Sequence, residues 1–176
     1  MTKRPAKRRL GSSGNTTKSA SSHAAPDEEG AAKSHPHLVR FQHGALSWLR
    51  KKLLSDLSTE HFAVLLGKVE QVNDRLIFKV YDIRCPRKHA YHTQSGAFLR
   101  LKKDYVYDIL VEVTQRQDID AVVDVHTHPF APRSVSFSAT DDADETAFAQ
   151  FLDEKFESLH YASIVLSQTE YEARVW

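Results

Sequence analysis

The chain has 176 residues, 41% of them hydrophobic and 27% charged, which fits one soluble globular domain with one core. Its formal net charge of +1 is unevenly spread: residues 1–35 hold seven Lys/Arg against three acids, the remainder 17 against 20, so the apolar-rich part is mildly acidic, which argues against nucleic-acid binding. The single cysteine, Cys85, excludes an intramolecular disulfide, and no apolar run approaches the length of a membrane span. The basic N-terminus lacks the apolar stretch of a secretory signal, so the expected location is cytoplasmic.

Residues 1–35 are dominated by Ser, Ala, Gly, Thr and Lys, a composition that cannot offset its own ordering entropy. They are expected to form a disordered, solvated tail, with a hook for nucleic acid or an acidic partner at Lys3 to Arg9 as the alternative. A single domain is expected over 36–176. Leu46, Leu49, Leu53, Leu54 and Leu57 recur at helical spacing and predict an amphipathic helix ending near Asp56. The run from Glu60 to Val69 is apolar and short enough for a buried strand, with Gly67 marking a bulge or a close approach. Asn73-Asp74 then supplies a turn, and Leu76 to Ile83 the second strand of a hairpin.

Residues 84–97 read as a polar loop on a functional rim, and Phe98 to Leu101 as a short strand. Lys103 to Gln115 predicts a helix, Asp120 to Val125 a central strand, and Asp141 to Phe156 a further helix. That last helix would turn Ala147, Phe148, Phe151, Leu152 and Phe156 to one face. Two strands, His160 to Leu166 and Tyr171 to Trp176, follow. The class is α/β or α+β, with a mixed sheet covered by helices. The chain stops inside a strand-like run, as expected of a piece of a longer protein.

The stretch that concentrates chemistry is 122–141. In a strand, residues i and i+2 share a face, so His126 and His128 would point the same way. With Asp141 from the start of the next helix, they make a ligand set that suits zinc with an open fourth position. Ser138 is placed to donate to a developing oxyanion. Each residue also has a plainer reading. The histidines could form a polar rim, the acids could answer the helix dipole, and Ser138 could be an ordinary cap. Cys85 with His89 or His92 is an alternative hydrolytic pair, but no electropositive helix start is evident to activate the thiol. His89 and His92 lack a third ligand for a metal of their own. An amidohydrolase with a His-x-His strand would need a barrel of about 250 residues, more than this chain can build.

The order of these residues carries a resemblance. His126-Thr127-His128-Pro129, then Ser138-Ala139-Thr140-Asp141, preceded by Glu60 seven residues before Gly67, resembles the signature of the JAMM (MPN+) zinc metalloprotease family. The likeness spans roughly residues 38–176. Nine residues separate His128 from Ser138, slightly more than in the family's eukaryotic members, and His61 stands where an apolar residue is commoner. His61 is expected to face away from the site.

The resemblance implies a single MPN/JAB domain with a mixed, curved sheet flanked by helices. It implies a zinc isopeptidase or peptidase that cuts after the C-terminus of a ubiquitin-like protein. Glu60 would be the general acid/base, His126, His128 and Asp141 the zinc ligands, and Ser138 the oxyanion donor. The implied partners are a ubiquitin-like substrate and its conjugates, with activating- and conjugating-enzyme-like proteins, in a bacterial setting such as antiphage defence. The loop at 84–97 would shape the groove for an extended tail by strand addition. The competing expectation is a non-catalytic MPN scaffold within a protein complex.

Overall fold

The computed structural model describes residues 37–131 and 134–176. The expectations for the tail, including Lys3 to Arg9, lie outside the described residues. Strand β1 (Leu38–Arg40) is followed by helix α1 (Ala45–Leu53), then by β2 (Phe62–Val72) and β3 (Arg75–Arg84). Next come β4 (Tyr91–Gln94), β5 (Leu99–Leu101), α2 (Lys103–Gln115) and β6 (Ala121–Thr127). The chain continues through α3 (Ala139–Lys155), β7 (His160–Leu166) and β8 (Tyr171–Val175).

Six strands form one mixed, curled sheet in the order β1-β3-β2-β6-β7-β8, with β1–β3 and β6–β7 parallel and the rest antiparallel. β6 lies between two neighbours, and all seven of its residues are buried. Its alternation divides the core. Ala121, Val123 and Val125 join Leu49 and Leu53 of α1 in one cluster. Val122 packs on the other face with Ile109 and Val113 of α2. The chain therefore forms an α+β domain, a mixed sheet flanked by three helices, as the patterning implied.

Gly67 is both a bulge and a close approach. The β2–β3 register shifts at Leu66/Gly67, and a Cβ at Gly67 would stand 1.9 Å from the Lys79 carbonyl oxygen. The Asn73-Asp74 turn is made with Asn73 in the left-handed region, φ 55°, which asparagine tolerates better than most residues.

Four expectations need correction. The first helix stops at Leu53, because Ser55 Oγ donates back to the Lys52 carbonyl and Asp56 Oδ1 accepts from the Ser58 N–H, offering the backbone a turn instead. β1 was not foreseen: three residues carry too short a pattern. Residues 84–97 are not all loop. They include a 3-10 turn, Lys88–Ala90, and strand β4, which pairs antiparallel with β5 in a separate ribbon. Their polar composition gives no alternation to read. Finally, α3 leaves Phe151 exposed and buries Glu145 with Leu152, since Glu145 is held by Ser163 and Arg174.

Candidate metal centre

β6 delivers His126 on the face that looks toward α2 and α3, opposite Phe62 of β2. The strand pairing continues one step beyond β6: the His128 N–H donates to the Leu166 carbonyl at 2.9 Å. That bond keeps the chain extended, so His128 stays on the same side as His126, and the two ring centroids lie 5.0 Å apart. Pro129, fully buried, then turns the chain away.

The third member comes from α3. Ser138 is its N-cap and Asp141 its third residue, in a reciprocal capping box. The Ser138 N–H donates to Asp141 Oδ2 at 2.6 Å, and the Asp141 N–H donates to Ser138 Oγ at 3.2 Å. The cap thus fixes the aspartate's rotamer. Asp141 Oδ1 lies 3.4 Å from His126 Nε2, and Oδ2 lies 3.4 Å from His128 Nε2. A tetrahedral ion with ligands at about 2.0–2.1 Å spaces its ligand atoms about 3.3 Å apart. His126 is 7% exposed, and its Nε2 is buried without a hydrogen-bond partner. Since buried polar atoms are rarely left unpaired, an orphaned imidazole nitrogen facing a carboxylate at that spacing fits a metal ligand. The three donor groups can be satisfied together by one cation.

Charge follows the geometry. Burial pulls the Asp141 carboxyl upward, but the two imidazoles and the Ser138 N–H outweigh it and hold it well below the usual carboxylate range. Burial also opposes protonation of His126, yet the nearby carboxylates of Asp141 and Asp124 raise its pKa.

Glu60 lies just before β2 and lines the same cavity as His126, His128, Ser138 and Asp141. It is 8% exposed, and burial raises its pKa, partly offset by the two histidines. Its backbone is anchored on both sides by the β4–β5 ribbon. The Glu60 N–H donates to the Ser95 carbonyl at 2.8 Å, and its carbonyl accepts from Gln94 Nε2 at 2.8 Å. The segment read as a rim loop therefore holds the glutamate. Nothing in its polar sequence distinguishes Gln94 and Ser95 from solvent-facing residues. Ser138 Oγ accepts from Asp141, and among the described residues no hydrogen bond takes its hydroxyl hydrogen. The cap reading is thus realised, with the hydrogen left to donate into the cavity.

Behind the centre, Asp124 is 8% exposed; its Oδ2 accepts from the Tyr161 hydroxyl. Burial and the nearby Glu145 push its carboxyl up to about 7. Sequence reasoning passed over Asp124, although an acid two residues before His126 in an apolar strand was a signal that the same face is polar. His61 faces away: its N–H donates to Thr127 Oγ1, and the residue does not line the cavity. Cys85 is half-buried against the α1-side core, and burial pushes its thiol pKa up. His89 and His92 are exposed, and neither belongs to a metal-capable group among the described residues. Among the described residues, no helix is long and apolar enough to cross a membrane.

The family described as prokaryotic homologs of the JAB domain matches residues 42–176. No curated protein matches the chain. Among solved structures, the solution structure of a protein from Salinibacter ruber (strain DSM 13855) is similar at 17% identity, covering 78% of this chain and 80% of that one. Its TM-score is 0.34, too low to carry an argument.

Proposed function

The chain belongs to the prokaryotic homologs of the JAB domain, and from that premise we propose that it is a zinc-dependent isopeptidase or peptidase that cleaves after the C-terminus of a ubiquitin-like protein. The observation that carries the reading is the convergence, in one cavity, of the buried Glu60 carboxylate with His126, His128 and Asp141, each imidazole Nε2 lying 3.4 Å from an oxygen of Asp141.

His126, His128 and Asp141 would hold the ion, which would supply Lewis acidity for activating water and polarising an amide carbonyl. Glu60 is buried enough to be a stronger base than an ordinary carboxylate. It accepts the proton of the attacking water and returns it to the leaving amine as the C–N bond breaks. The Ser138 hydroxyl donates to the oxygen that gains charge in the tetrahedral intermediate. β5 contributes Leu99, Arg100 and Leu101 to the cavity wall, so an extended tail can add to it as a further strand. The setting proposed is a cytoplasmic bacterial conjugation or antiphage system, with activating- and conjugating-enzyme-like partners.

Metal analysis tests the centre: purified protein should carry about one zinc per chain, with His126→Ala and Asp141→Ala losing it. Glu60→Ala should retain zinc yet cleave a ubiquitin-like fusion at least about a hundredfold more slowly. Cleavage at the native rate by Glu60→Ala would overturn the role given to Glu60, and a protein that binds no zinc and cleaves nothing would favour the scaffold.

A further inference from the structure

Asp141 faces the two imidazoles only while the opening of α3 keeps its rotation and its height over the sheet. Apolar packing does not hold that opening: along residues 139–147, Glu145 alone is buried. The apolar contacts start further on, where Phe148 stands edge-on to Tyr161 at 5.2 Å and Leu152 is buried in the same cluster. The capping box fixes the rotamer of Asp141 within its own turn and leaves the turn itself to be anchored. The anchor is polar.

It begins as a row of side chains across three strands. Asp124 of β6 pairs with Ser163 of β7, and Ser163 with Arg174 of β8, so the three stand side by side on one face of the sheet. Glu145 comes one turn after Asp141, on nearly the same side of α3, and reaches this row. Ser163 Oγ donates to its Oε2, and Arg174 Nε donates to the same oxygen at 2.8 Å. Arg174 Nη1 donates to Asp142 Oδ1. The guanidinium carbon also lies over the Phe137 ring, 3.8 Å from its centroid, and over Trp176 at 4.7 Å. Phe137 directly precedes the Ser138 cap and stands edge-on to the His126 ring, their centroids 5.9 Å apart. One guanidinium thus holds the residue before the cap and two residues just past Asp141.

We propose that Arg174 is a positioning residue of the metal centre: it pins Phe137 and the opening turns of α3 to the sheet, and so sets where Asp141 stands relative to His126 and His128. The inference rests on the metal-centre reading and adds to it a residue from the last strand, which supplies no ligand. The role needs a planar fork. Nε and Nη1 serve two carboxylates while the flat face stays on an aromatic ring, and a lysine ammonium, a point charge, cannot do all three. Charge alone predicts the opposite of positioning. Taking a cation away from a metal site favours the metal, so weaker zinc binding in a neutral variant has to come from a displaced ligand.

The test compares Arg174→Lys and Arg174→Gln with Arg116→Lys, all in the full chain. Arg116 also pairs with several carboxylates, Asp82, Glu112 and Asp118, but does not line the cavity, so it controls for the loss of an ion-pair network as such. Zinc affinity is read by competition with a chromophoric chelator on protein shown to be folded by its urea transition. Both Arg174 variants should bind zinc at least about tenfold more weakly, the usual scale for groups that orient metal ligands, and Arg116→Lys should bind it as the unaltered chain does. A smaller loss in whichever Arg174 variant folds, or an equal loss in Arg116→Lys, overturns the proposal. If the unaltered chain binds no zinc, the metal reading is what fails, and amide hydrogen exchange of the metal-free chains decides the positioning. Exchange at Asp141 and Asp142 at least about tenfold faster in Arg174→Lys, with the amides of α2 unchanged, upholds it. Equal exchange, or a rise that α2 shares, sinks it.

Discussion

Two residues show how far single side chains depend on neighbours. Glu60 can act as a base only if its backbone is fixed, and the fixing comes from Gln94 and Ser95 rather than from β2 itself. Gln94→Ala should therefore lower kcat by roughly tenfold to a hundredfold, the usual scale for misplacing a reacting group, while zinc content stays at the native level. Loss of zinc in that variant would show a structural effect instead. Asp124 makes a prediction about pH. Its carboxyl, near 7 when folded against an ordinary value of 3.8, binds its proton more tightly in the folded chain. The stability this provides is complete below about pH 4 and is lost as pH rises through 7. In protein stripped of metal, the urea midpoint should fall from pH 5 to pH 8, and Asp124→Asn should flatten that fall. An equal or steeper fall in the variant would contradict the assignment.

Among the elements, those with a strong period were legible. β2, α2 and β7 lie where their apolar runs place them, and the glycine in β2 does what its isolation implied. Gly67→Ala should cost about 1–3 kcal/mol, the scale of overpacking, because its Cβ would press on the Lys79 backbone at 1.9 Å rather than on a side chain that can swing away. The midpoint of a urea titration reads this directly, and an unchanged midpoint would mean that β2 and β3 separate there without penalty. What was not legible lacked a period. β1 has three residues, and β4 pairs through the backbone of Tyr-His-Thr-Gln, whose side chains announce nothing. α3 misled only in part: Phe148 and Phe156 pack with Leu152 as the pattern implied, but Phe151 is exposed and Glu145 is buried, because Arg174 and Ser163 satisfy it. The clustering of His126, His128 and Asp141 was readable because it is local in two pieces, a strand and a helix cap. The anchoring of Glu60 was not, because it is a contact across 34 residues of chain.

For the whole molecule, the centre is a tie between the last residues of the central strand and the first turn of α3. Asp141 serves both parties, as the reciprocal partner of the Ser138 cap and as the group facing the two imidazoles. A helix start and a candidate ligand set are thus one arrangement, and whatever loosens one should loosen the other. Stripping the metal with a chelator should deprive Asp141 of its partner charge and let the opening turn of α3 fray, since exchange protection is lost first where local stability is lowest. Amide hydrogen exchange at Asp141 and Asp142, whose N–H groups bond to Ser138, should quicken at least about tenfold on chelation and recover when zinc returns. Amides of α2, which contributes no ligand, should hold their rate. Exchange as fast with zinc as without it would show the cap to be indifferent to its neighbour. Otherwise the peptide amides at the start of one helix become a gauge of occupancy, readable by mass without any substrate.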